Sequence, residues 1–310
     1  MIMQVLVTGG AGFIGGHIVD LLINKGHQVT IIDDLSTGKT EWINKEAGFI
    51  QDTICNPKLN LSKFDSICHL AALPRVQFSI DHPEESHNAN VNGVFNMLNL
   101  ARKYKVRRFV FSSSSSVYGD QEILPLKEEM IPNPMSPYAL HKLIAEQYCR
   151  LFLKIYGVET ISLRYFNVYG PRHIAESSYA NLIPKFTKLV LKNEQPTING
   201  DGEQTRDFTS VHDVAKANLS ALTTQNKETF GETFNIGSGK NISINEVSSL
   251  IIKNLKSKIK PRYGPKLLEP KNTLADISKA SELLNYNPSV VFREGIKEFI
   301  AWYKDYNNIT

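Results

Sequence analysis

The stretch "QVLVTGGAGFIGGHIVDLLINKG", residues 4–26, decides the fold. A run of Val and Leu typical of a buried strand passes into a glycine turn, and a helix ending at Gly26 follows. Gly9, Gly12 and Gly15 allow the tight turn, a close approach of the backbone to a pyrophosphate, and close helix–strand packing. The helix N-terminus offers free N–H groups to phosphate. The stretch therefore predicts a strand–turn–helix unit that binds a dinucleotide.

An acidic residue follows at the end of the next predicted strand, "HQVTIID". This residue, Asp33, stands 18 residues after Gly15, the spacing typical of a dinucleotide-binding unit. A carboxylate there can accept hydrogen bonds from the adenosine ribose and would repel a 2′-phosphate. The following "DDLSTG" has no arginine to bind that phosphate, although Lys39 comes next. The pattern favours NAD over NADP; the alternative is that the glycines form only a packing turn.

Short apolar strands alternate with helices through the first half of the chain. Later examples of such strands are "FDSICHLAA", "VRRFVFSSSSS" and "VETISLRYF". This alternation predicts an α/β fold, a doubly wound parallel-sheet Rossmann fold with helices on both faces. After about Tyr165 the sequence becomes rich in turns, which indicates a smaller, mixed α/β substrate-binding domain. We predict an NAD-binding Rossmann domain over residues 1–165, to which later segments can return, and a second domain over residues 166–310.

The composition narrows the class of protein. A chain of 310 residues with 42% hydrophobic and 21% charged residues is typical of a soluble globular protein. The net charge of +4 is spread along the chain without a basic tract, so nucleic acid is not an expected partner. No apolar run approaches the roughly 20 residues that span a bilayer, and no signal peptide is recognisable. Cys55, Cys68 and Cys149 lack metal-like spacing. They predict reduced thiols in the cytoplasm, with neither a disulfide nor a metal site.

A tyrosine and a lysine four residues apart stand in "SPYALHKLIAEQ", residues 136–147. Tyr138 and Lys142 share one face of the predicted helix, where an ammonium would lower the phenol pKa from its usual value of about 10. Alone, the pair is typical of an exposed helix face; after several β-α units of a dinucleotide fold it favours catalysis. The serines of "RFVFSSSSSVYG" end a parallel strand, where ligands gather. We interpret His69 and His141 as structural.

Several motifs in a fixed order complete the pattern. Besides T-G-x-x-G-x-x-G at Thr8–Gly15 they are "DTI", "HLAAL", "NVNG", "SSSSSVYG", "SPYALHK", "RYFNVYGPR", "GDGEQTRDF" and "NIGSG". With these motifs the chain resembles the extended short-chain dehydrogenase/reductase family, in particular its nucleotide-sugar branch, over nearly its whole length. Within that branch it looks most like the UDP-glucose 4-epimerases. The resemblance implies that residues 166–310 bind a UDP-sugar.

The resemblance also implies roles for individual residues. Tyr138 would be the acid/base, Ser114 would hold the sugar O4, and Lys142 would reach the nicotinamide ribose. The implied NAD contacts are Gly9, Gly12, Phe13, Ile14, Gly15, Asp33, Asp34, Asp52, Thr53, Leu70, Ala71, Ala72, Asn90, Ser112, Tyr138, Lys142 and Tyr165. The implied UDP-sugar contacts are Ser114, Ser115, Tyr138, Asn167, Asn181, Leu182, Arg206, Glu269 and Thr273.

The activity implied by the resemblance is an isomerase reaction, the interconversion of UDP-glucose and UDP-galactose. Tyr138 removes the C4 hydroxyl proton while C4 gives hydride to NAD; the 4-keto sugar then turns, and hydride returns to its other face. Dehydratases and decarboxylases of the branch carry acidic residues directly before "VYG". This chain has Ser115 and Ser116 there, neither able to act as a general acid, so both activities are disfavoured.

Three alternatives stay open at this point. Thr273 stands where some epimerases have a bulky tyrosine, so UDP-N-acetylglucosamine is a candidate substrate. A UDP-glucuronate 4-epimerase and a non-catalytic NAD-binding sensor are the others. Lys266 and Glu269 replace an arginine and an aspartate of the family, which leaves their contact with UDP an open question. The two long helices around "NVNG" and "SPYALHK" pair across a dimer in the resembling enzymes, so we expect a homodimer.

Overall fold

A computed structural model of the chain describes residues 2–174, 181–266 and 270–309. The strands are β1 (Gln4–Thr8), β2 (Gln28–Asp33), β3 (Gly48–Gln51), β4 (Ser66–His69), β5 (Arg108–Ser114), β6 (Glu159–Tyr165), β7 (Val168–Tyr169), β8 (Thr197–Asn199), β9 (Thr205–Asp207), β10 (Thr209–Ser210), β11 (Thr233–Ile236), β12 (Asn241–Ser243) and β13 (Arg262–Gly264). The helices are α1 (Phe13–Asn24), α2 (Val76–Asp81), α3 (Pro83–His87), α4 (Gly93–Lys103), α5 (Pro137–Tyr156), α6 (Leu182–Leu191), α7 (Val211–Thr223), α8 (Ile244–Asn254), α9 (Ser278–Leu284) and α10 (Phe292–Tyr306).

A seven-stranded sheet forms the centre of the fold, in the order β3-β2-β1-β4-β5-β6-β11. Every pair of neighbours in it is parallel. The strand order reverses direction at β1, so the carboxyl ends of β1 and β4 border a crevice of the kind in which ligands bind in such sheets. The predicted doubly wound α/β fold is confirmed.

Side chains alternate between two cores on the two faces of the sheet. Val5 and Val7 of β1 pack with α1 and α7 on one face. Leu6, between them, packs with α4 and α5 on the other face. Because both faces are covered, both sets of alternating side chains are apolar, which is why these strands read as continuous hydrophobic runs.

A smaller lobe is built mainly from residues after β6. Strand pairs β8–β13 and β9–β12 surround a separate core with α6, α8 and α10, in which Phe186, Val247 and Phe299 are buried. The chain also returns to the main sheet beyond residue 165, because β11 pairs with β6 and α7 packs beside α1. The domain boundary at residue 165 stays a prediction.

The long helix expected around "NVNG" is not one continuous α-helix. A π-helical turn, Asn88–Asn92, separates α3 from α4. The π turn leaves the apolar period of α4 intact, so the hydrophobic pattern carried no sign of it. In the described part of the chain, every helix is too short or too polar to cross a bilayer.

Candidate active site

The glycine turn between β1 and α1 has no space for side chains. Gly9 has a φ of +72°, and a Cβ there would lie 2.7 Å from the backbone nitrogen of Ala71. A Cβ on Gly15 would lie 2.1 Å from the Gly9 carbonyl oxygen. Gly12 begins α1 without a side-chain cap, so the first N–H groups of the helix can be offered to an anion. The turn fits the pyrophosphate of a dinucleotide.

Thr8 connects this turn to the end of β4. Its hydroxyl accepts hydrogen bonds from the backbone N–H groups of Leu70 and Ala71, both at 3.1 Å, and lies 3.0 Å from His69 Nδ1. These bonds hold Leu70 and Ala71, two of the predicted NAD contacts, beside the glycines. His69 is 1% exposed, and burial lowers its pKa to about 3, so a neutral structural ring fits this position.

The Asp33 carboxylate is buried at the end of β2. It accepts hydrogen bonds from the N–H groups of Ala11 at 3.0 Å and Leu35 at 2.9 Å, and so fixes the glycine turn from the side of β2. Burial raises its pKa, an effect that these two hydrogen bonds oppose. Each carboxylate oxygen can accept a second hydrogen bond, so the group can still bind a ribose hydroxyl.

Two charged neighbours of Asp33 have partners of their own. The exposed Asp34 accepts hydrogen bonds from the N–H and the hydroxyl of Ser36, at 2.9 and 2.6 Å. The Lys39 ammonium donates to the Tyr306 hydroxyl at 3.0 Å and lies 5.5 Å from the centroid of the Trp42 ring. Lys39, the cation that could have bound a 2′-phosphate, is therefore hydrogen-bonded to a side chain of helix α10.

Two further predicted NAD contacts, Asn90 and Asp52, form hydrogen bonds with other groups of the protein. Asn90 is 1% exposed; its side chain accepts a hydrogen bond from Leu73 N at 2.9 Å and donates to Leu73 O at 3.1 Å. It thus fixes the loop after β4. Asp52 Oδ1 accepts a hydrogen bond from Thr53 N at 2.8 Å. The contacts of Asn90, Asp52 and Thr53 with NAD stay predictions.

The phenol of Tyr165 lies inside the layer between the sheet and α7. Its hydroxyl is 2.9 Å from Ser112 Oγ, and Asn218 Nδ2 donates to it at 2.8 Å. Burial raises the pKa of this phenol. Any contact that Tyr165 makes with NAD is therefore left to its backbone.

The start of α5 places Tyr138. Ser136 caps the helix by accepting a hydrogen bond from Ala139 N at 3.2 Å, and Pro137 occupies the first turn, where its missing N–H is harmless. Tyr138 N donates to Ser79 Oγ of α2 at 3.0 Å, which ties α2 to the start of α5. Tyr138 is 9% exposed.

The structure brings the three predicted catalytic residues together at the carboxyl end of β5. The Ser114 side chain favours the charged form of the Tyr138 phenol and so opposes the rise in its pKa. Ser116 donates its N–H and its hydroxyl to Ser114 Oγ, at 3.2 and 2.9 Å. The Lys142 ammonium donates to the Ser112 carbonyl at 2.7 Å and lies 5.8 Å from the centroid of the Tyr138 ring.

The expected acidification of the phenol by Lys142 is wrong for this structure. Burial raises the pKa of Tyr138 to about 12, and the Ser114 hydrogen bond and the charge of Arg75 only partly oppose it. Burial also lowers the pKa of Lys142 to about 8, an effect that Glu146 opposes. Desolvation outweighs the pairing that the four-residue spacing predicted, because phenol and ammonium are both buried.

A cavity of about 370 Å³ lies in the smaller lobe. Its lining includes four predicted UDP-sugar contacts, Asn167, Asn181, Leu182 and Arg206. Arg206 Nη1 donates to the carbonyls of Thr205 and Lys271, at 2.9 and 3.1 Å, which orients the guanidinium. The cavity can therefore present amide and guanidinium donors to a diphosphate.

The remaining predicted substrate residues are less closely associated with this cavity. Thr273 Oγ1 accepts a hydrogen bond from Asp207 N at 3.3 Å, so its hydroxyl is directed to β9. Ser115 opens a 3₁₀ turn, Ser115–Tyr118, directly after β5. Glu269 lies outside the described residues.

Arg75 and His173 are site residues that the sequence interpretation missed. Arg75 Nη1 donates to Asn181 Oδ1 at 3.0 Å, and Asn181 Nδ2 is 3.0 Å from His173 Nε2. The His173 ring stacks on Phe13 of α1, with ring centroids 4.5 Å apart. Arg75 follows "HLAAL" at the carboxyl end of β4, and a cation at that edge of the sheet was the available signal.

Comparison with known proteins gives consistent matches. Residues 5–237 match the family model of the NAD dependent epimerase/dehydratase family. A protein of Methanocaldococcus jannaschii named "Putative UDP-glucose 4-epimerase" is 42% identical, over 98% of this chain and 99% of that protein. The structure of UDP-glucose 4-epimerase from Thermotoga maritima with UDP-glucose is 35% identical, with a TM-score of 0.93 over 98% of this chain and 100% of that one. UDP-N-acetylglucosamine 4-epimerase from Methanobrevibacter ruminantium, solved with UDP-N-acetylmuramic acid, is 37% identical, with a TM-score of 0.94 over 98% and 99%.

Proposed function

Because this chain belongs to the NAD-dependent epimerase/dehydratase family, we propose that it inverts C4 of a UDP-hexose, interconverting UDP-glucose and UDP-galactose. The observation that carries the proposal is the grouping of Ser114, Tyr138 and Lys142 at the carboxyl end of β5, where the Lys142 ammonium lies 2.7 Å from the Ser112 carbonyl and 5.8 Å from the centroid of the Tyr138 ring. The hydroxyls of Ser114 and Tyr138 are suited to bind one reacting oxygen and to move its proton.

NAD is the cofactor of the family, and the residues present fit it. Gly9, Gly12 and Gly15 would admit its pyrophosphate at the start of α1, and Asp33 would bind the adenosine ribose. When bound, NAD supplies a hydride acceptor that later returns the hydride. Lys142 holds the Ser112 carbonyl, which keeps the end of β5 in place next to Tyr138.

The protein's part in the chemistry is to orient the sugar and move one proton. Ser114 would hold the C4 oxygen, and Tyr138 would take its proton as the C4 hydrogen leaves as hydride, which forms the 4-keto sugar. The same phenol would return the proton to the oxygen when hydride returns to the opposite face of C4. Between these steps Asn181 and Arg206 would keep the diphosphate fixed while the sugar turns.

The residues around Ser114 support an epimerase over the other activities of the family. Removal of a hydroxyl needs a general acid directly before Val117, and Ser115 and Ser116 occupy those positions. The Ser116 hydroxyl donates to Ser114 Oγ and so supports the orientation of that hydroxyl.

UDP-N-acetylglucosamine is a second candidate substrate. The 37% identity with an epimerase named for that sugar favours it, as does the small side chain of Thr273. UDP-glucuronate stays a further alternative, and an NAD-binding sensor without activity is the alternative of a different class.

One experiment separates these candidates. The NAD-loaded protein is incubated separately with UDP-galactose, UDP-N-acetylgalactosamine and UDP-galacturonate, and C4 epimers are resolved by chromatography and NMR. We expect UDP-glucose from UDP-galactose. Conversion of only one of the other two sugars would reassign the substrate, and NAD binding without an epimer from any sugar would overturn the proposal in favour of the sensor.

We also propose that the protein is a cytoplasmic homodimer. Helix α5 exposes Leu140, Leu151 and Ile155, with 46, 44 and 57% of each accessible, and α4 exposes Phe95. These apolar side chains suit a paired-helix interface of the kind that the family resemblance implies. The three cysteines, all unpaired, are compatible with a reducing compartment.

A further inference from the structure

The last turn of α10 contacts the loop that follows β2. The Tyr306 hydroxyl accepts a hydrogen bond from the Lys39 ammonium at 3.0 Å and donates one to Glu41 Oε1 at 3.1 Å. The same ammonium lies 5.5 Å from the centroid of the Tyr306 ring and 5.5 Å from that of Trp42, which is 7% exposed. Tyr306 and Lys39, 267 positions apart in sequence, are therefore joined by a hydrogen bond and a cation–π contact.

Lys39 also ends a loop, residues 34–39, that packs on the predicted ribose ligand. A Cβ on Gly38 would lie 2.7 Å from Asp33 Oδ1 and 2.9 Å from Ala11 Cβ, so the loop backbone touches both. The Lys39 backbone N–H donates to the Ala11 carbonyl at 3.0 Å, and the Ala11 N–H donates to Asp33 Oδ2 at 3.0 Å. The loop thus connects Lys39 with the carboxylate that would bind the adenosine ribose and with the glycine turn.

The loop has a backbone conformation that its surroundings must maintain. Leu35 has a φ of +61°, in the left-handed region that disfavours a side chain. Its N–H donates to Asp33 Oδ1 at 2.9 Å, so this conformation places the start of the loop against the carboxylate. A strained loop that loses a tertiary contact opens more often, and a site that is open more often releases its ligand sooner.

Helix α10 is a fixed partner for this loop, because its other residues belong to the smaller lobe. Ile296, Phe299 and Tyr303 are buried in the core of that lobe. Phe186 and Phe208 of the same core line the cavity that holds the predicted UDP-sugar contacts. The position of the last turn of α10 is therefore set by the smaller lobe and not by the loop.

We propose that Tyr306 is a positioning residue for NAD, which acts through Lys39 to keep residues 34–39 closed beside the adenosine ribose and so slows the release of the cofactor. Since it concerns retention of the cofactor and not the choice of sugar, this role goes beyond the proposed function. Slow release suits a reaction in which the NAD that accepts a hydride must return it to the same sugar.

The test measures how fast bound NAD is exchanged. Each NAD-loaded protein is mixed with an excess of isotopically labelled NAD, and the loss of unlabelled NAD from the protein is followed by mass spectrometry. Tyr306→Phe removes only the hydroxyl, and Lys39→Met removes the ammonium. Tyr263→Phe is the matched control, because the Tyr263 hydroxyl also donates to one side chain, Asn245 Oδ1, at 3.1 Å.

Tryptophan fluorescence provides a second readout at the same place. The chain has two tryptophans, and the ring centroids of Trp42 and Trp302 lie 6.3 and 5.1 Å from that of Tyr306. Quenching of their emission by acrylamide therefore reports whether the contact between the loop and α10 has opened. It is measured on the same NAD-loaded proteins.

We expect NAD exchange to be about three- to tenfold faster in Tyr306→Phe and in Lys39→Met, the effect of about one lost hydrogen bond. The double variant should exchange NAD no faster than the faster single variant, because the two residues act as one unit. Acrylamide quenching should increase in Tyr306→Phe. Tyr263→Phe should match the wild type in both measurements.

Three outcomes would overturn the inference. The first is an exchange rate or a quenching that is unchanged in Tyr306→Phe. The second is faster exchange in Lys39→Met alone, which would mean that Lys39 contacts NAD directly. The third is a double variant in which the two effects multiply. Exchange of NAD needs no turnover, so the measurement decides the role of Tyr306 even if no UDP-sugar is converted and the proposed function fails.

Discussion

At the scale of single residues, burial sets the protonation of the site. The pKa of Tyr138 rises to about 12 and that of Lys142 falls to about 8, because both are desolvated. Near neutral pH the phenol therefore carries its proton, and the ammonium is mostly charged. A reaction that uses this phenol as a base therefore needs a neighbouring positive charge or hydrogen-bond donor that favours the phenolate.

The Lys142 shift gives a prediction for stability against pH. Below about pH 8 the ammonium is charged in both the folded and the unfolded chain, and its burial reduces stability in full. Between about 8 and the ordinary pKa of about 10.4, only the unfolded chain keeps the proton, so this contribution to the unfolding free energy rises with pH.

We expect the unfolding free energy of the wild type, minus that of Lys142→Met, to increase by a few kcal/mol over this window, at about 1.4 kcal/mol for each unit of pKa. Urea unfolding at several pH values measures it. A flat difference across the window would show that the lysine is not desolvated.

At the scale of elements, side-chain contacts between residues far apart in sequence fix the ends of helices and strands relative to one another. Arg108 is fully buried, and its Nη1 donates to the carbonyls of Ala221, Leu222 and Thr224 at the end of α7, at 3.2, 3.0 and 2.6 Å. Its Nη2 pairs with Glu159 of β6 at 2.6 Å. One side chain thus joins the carboxyl end of a helix to two strands.

Arg108→Met should destabilise the fold strongly, because it leaves three carbonyls and a carboxylate without their donor. We expect a loss of about 3–5 kcal/mol in the free energy of unfolding, measured by urea denaturation. Arg107→Met is the matched control; its side chain is 47% exposed and should cost under about 0.5 kcal/mol. Equal losses in the two variants would contradict the role given to Arg108.

Local sequence patterns predicted the helices and strands. Features that depend on tertiary contacts could not be predicted from those patterns. The strand–turn–helix at Gly9 and the helix start at Ser136 were predictable, because glycine spacing and an N-cap act within a few residues. The π turn was not, because it coincides with a contact between Asn90 and Leu73, 17 residues apart in sequence. The pKa of Tyr138 was not predictable either, since burial depends on the whole fold.

At the scale of the whole molecule, two lobes meet at the site, and a hydrogen bond crosses between them. Arg75, after β4 of the main sheet, donates to Asn181 at the start of α6 in the smaller lobe. This bond ties the loop after β4 to the wall of the cavity, which suits the proposed reaction, in which the diphosphate stays fixed while the sugar turns.

The proposed homodimer belongs to this scale. We expect sedimentation and light scattering to give twice the chain mass of 34.9 kDa, and Leu151→Glu on the exposed face of α5 to give monomers, because a carboxylate would be buried without a partner. Ile131→Glu, at a side chain 84% exposed, is the control and should leave the mass unchanged. A wild-type protein of single-chain mass would contradict the homodimer.

The most direct test of the proposed epimerase activity, with Tyr138 as the acid/base, compares two proteins. It measures the conversion of UDP-galactose to UDP-glucose by the NAD-loaded protein and by its Tyr138→Phe variant. We predict conversion by the wild type and a fall of about 10²–10⁴-fold or more in the variant, with its bound NAD retained. The loss follows because phenylalanine keeps the ring and removes only the hydroxyl that would carry the proton. A variant that converts the sugar at the wild-type rate would contradict the account.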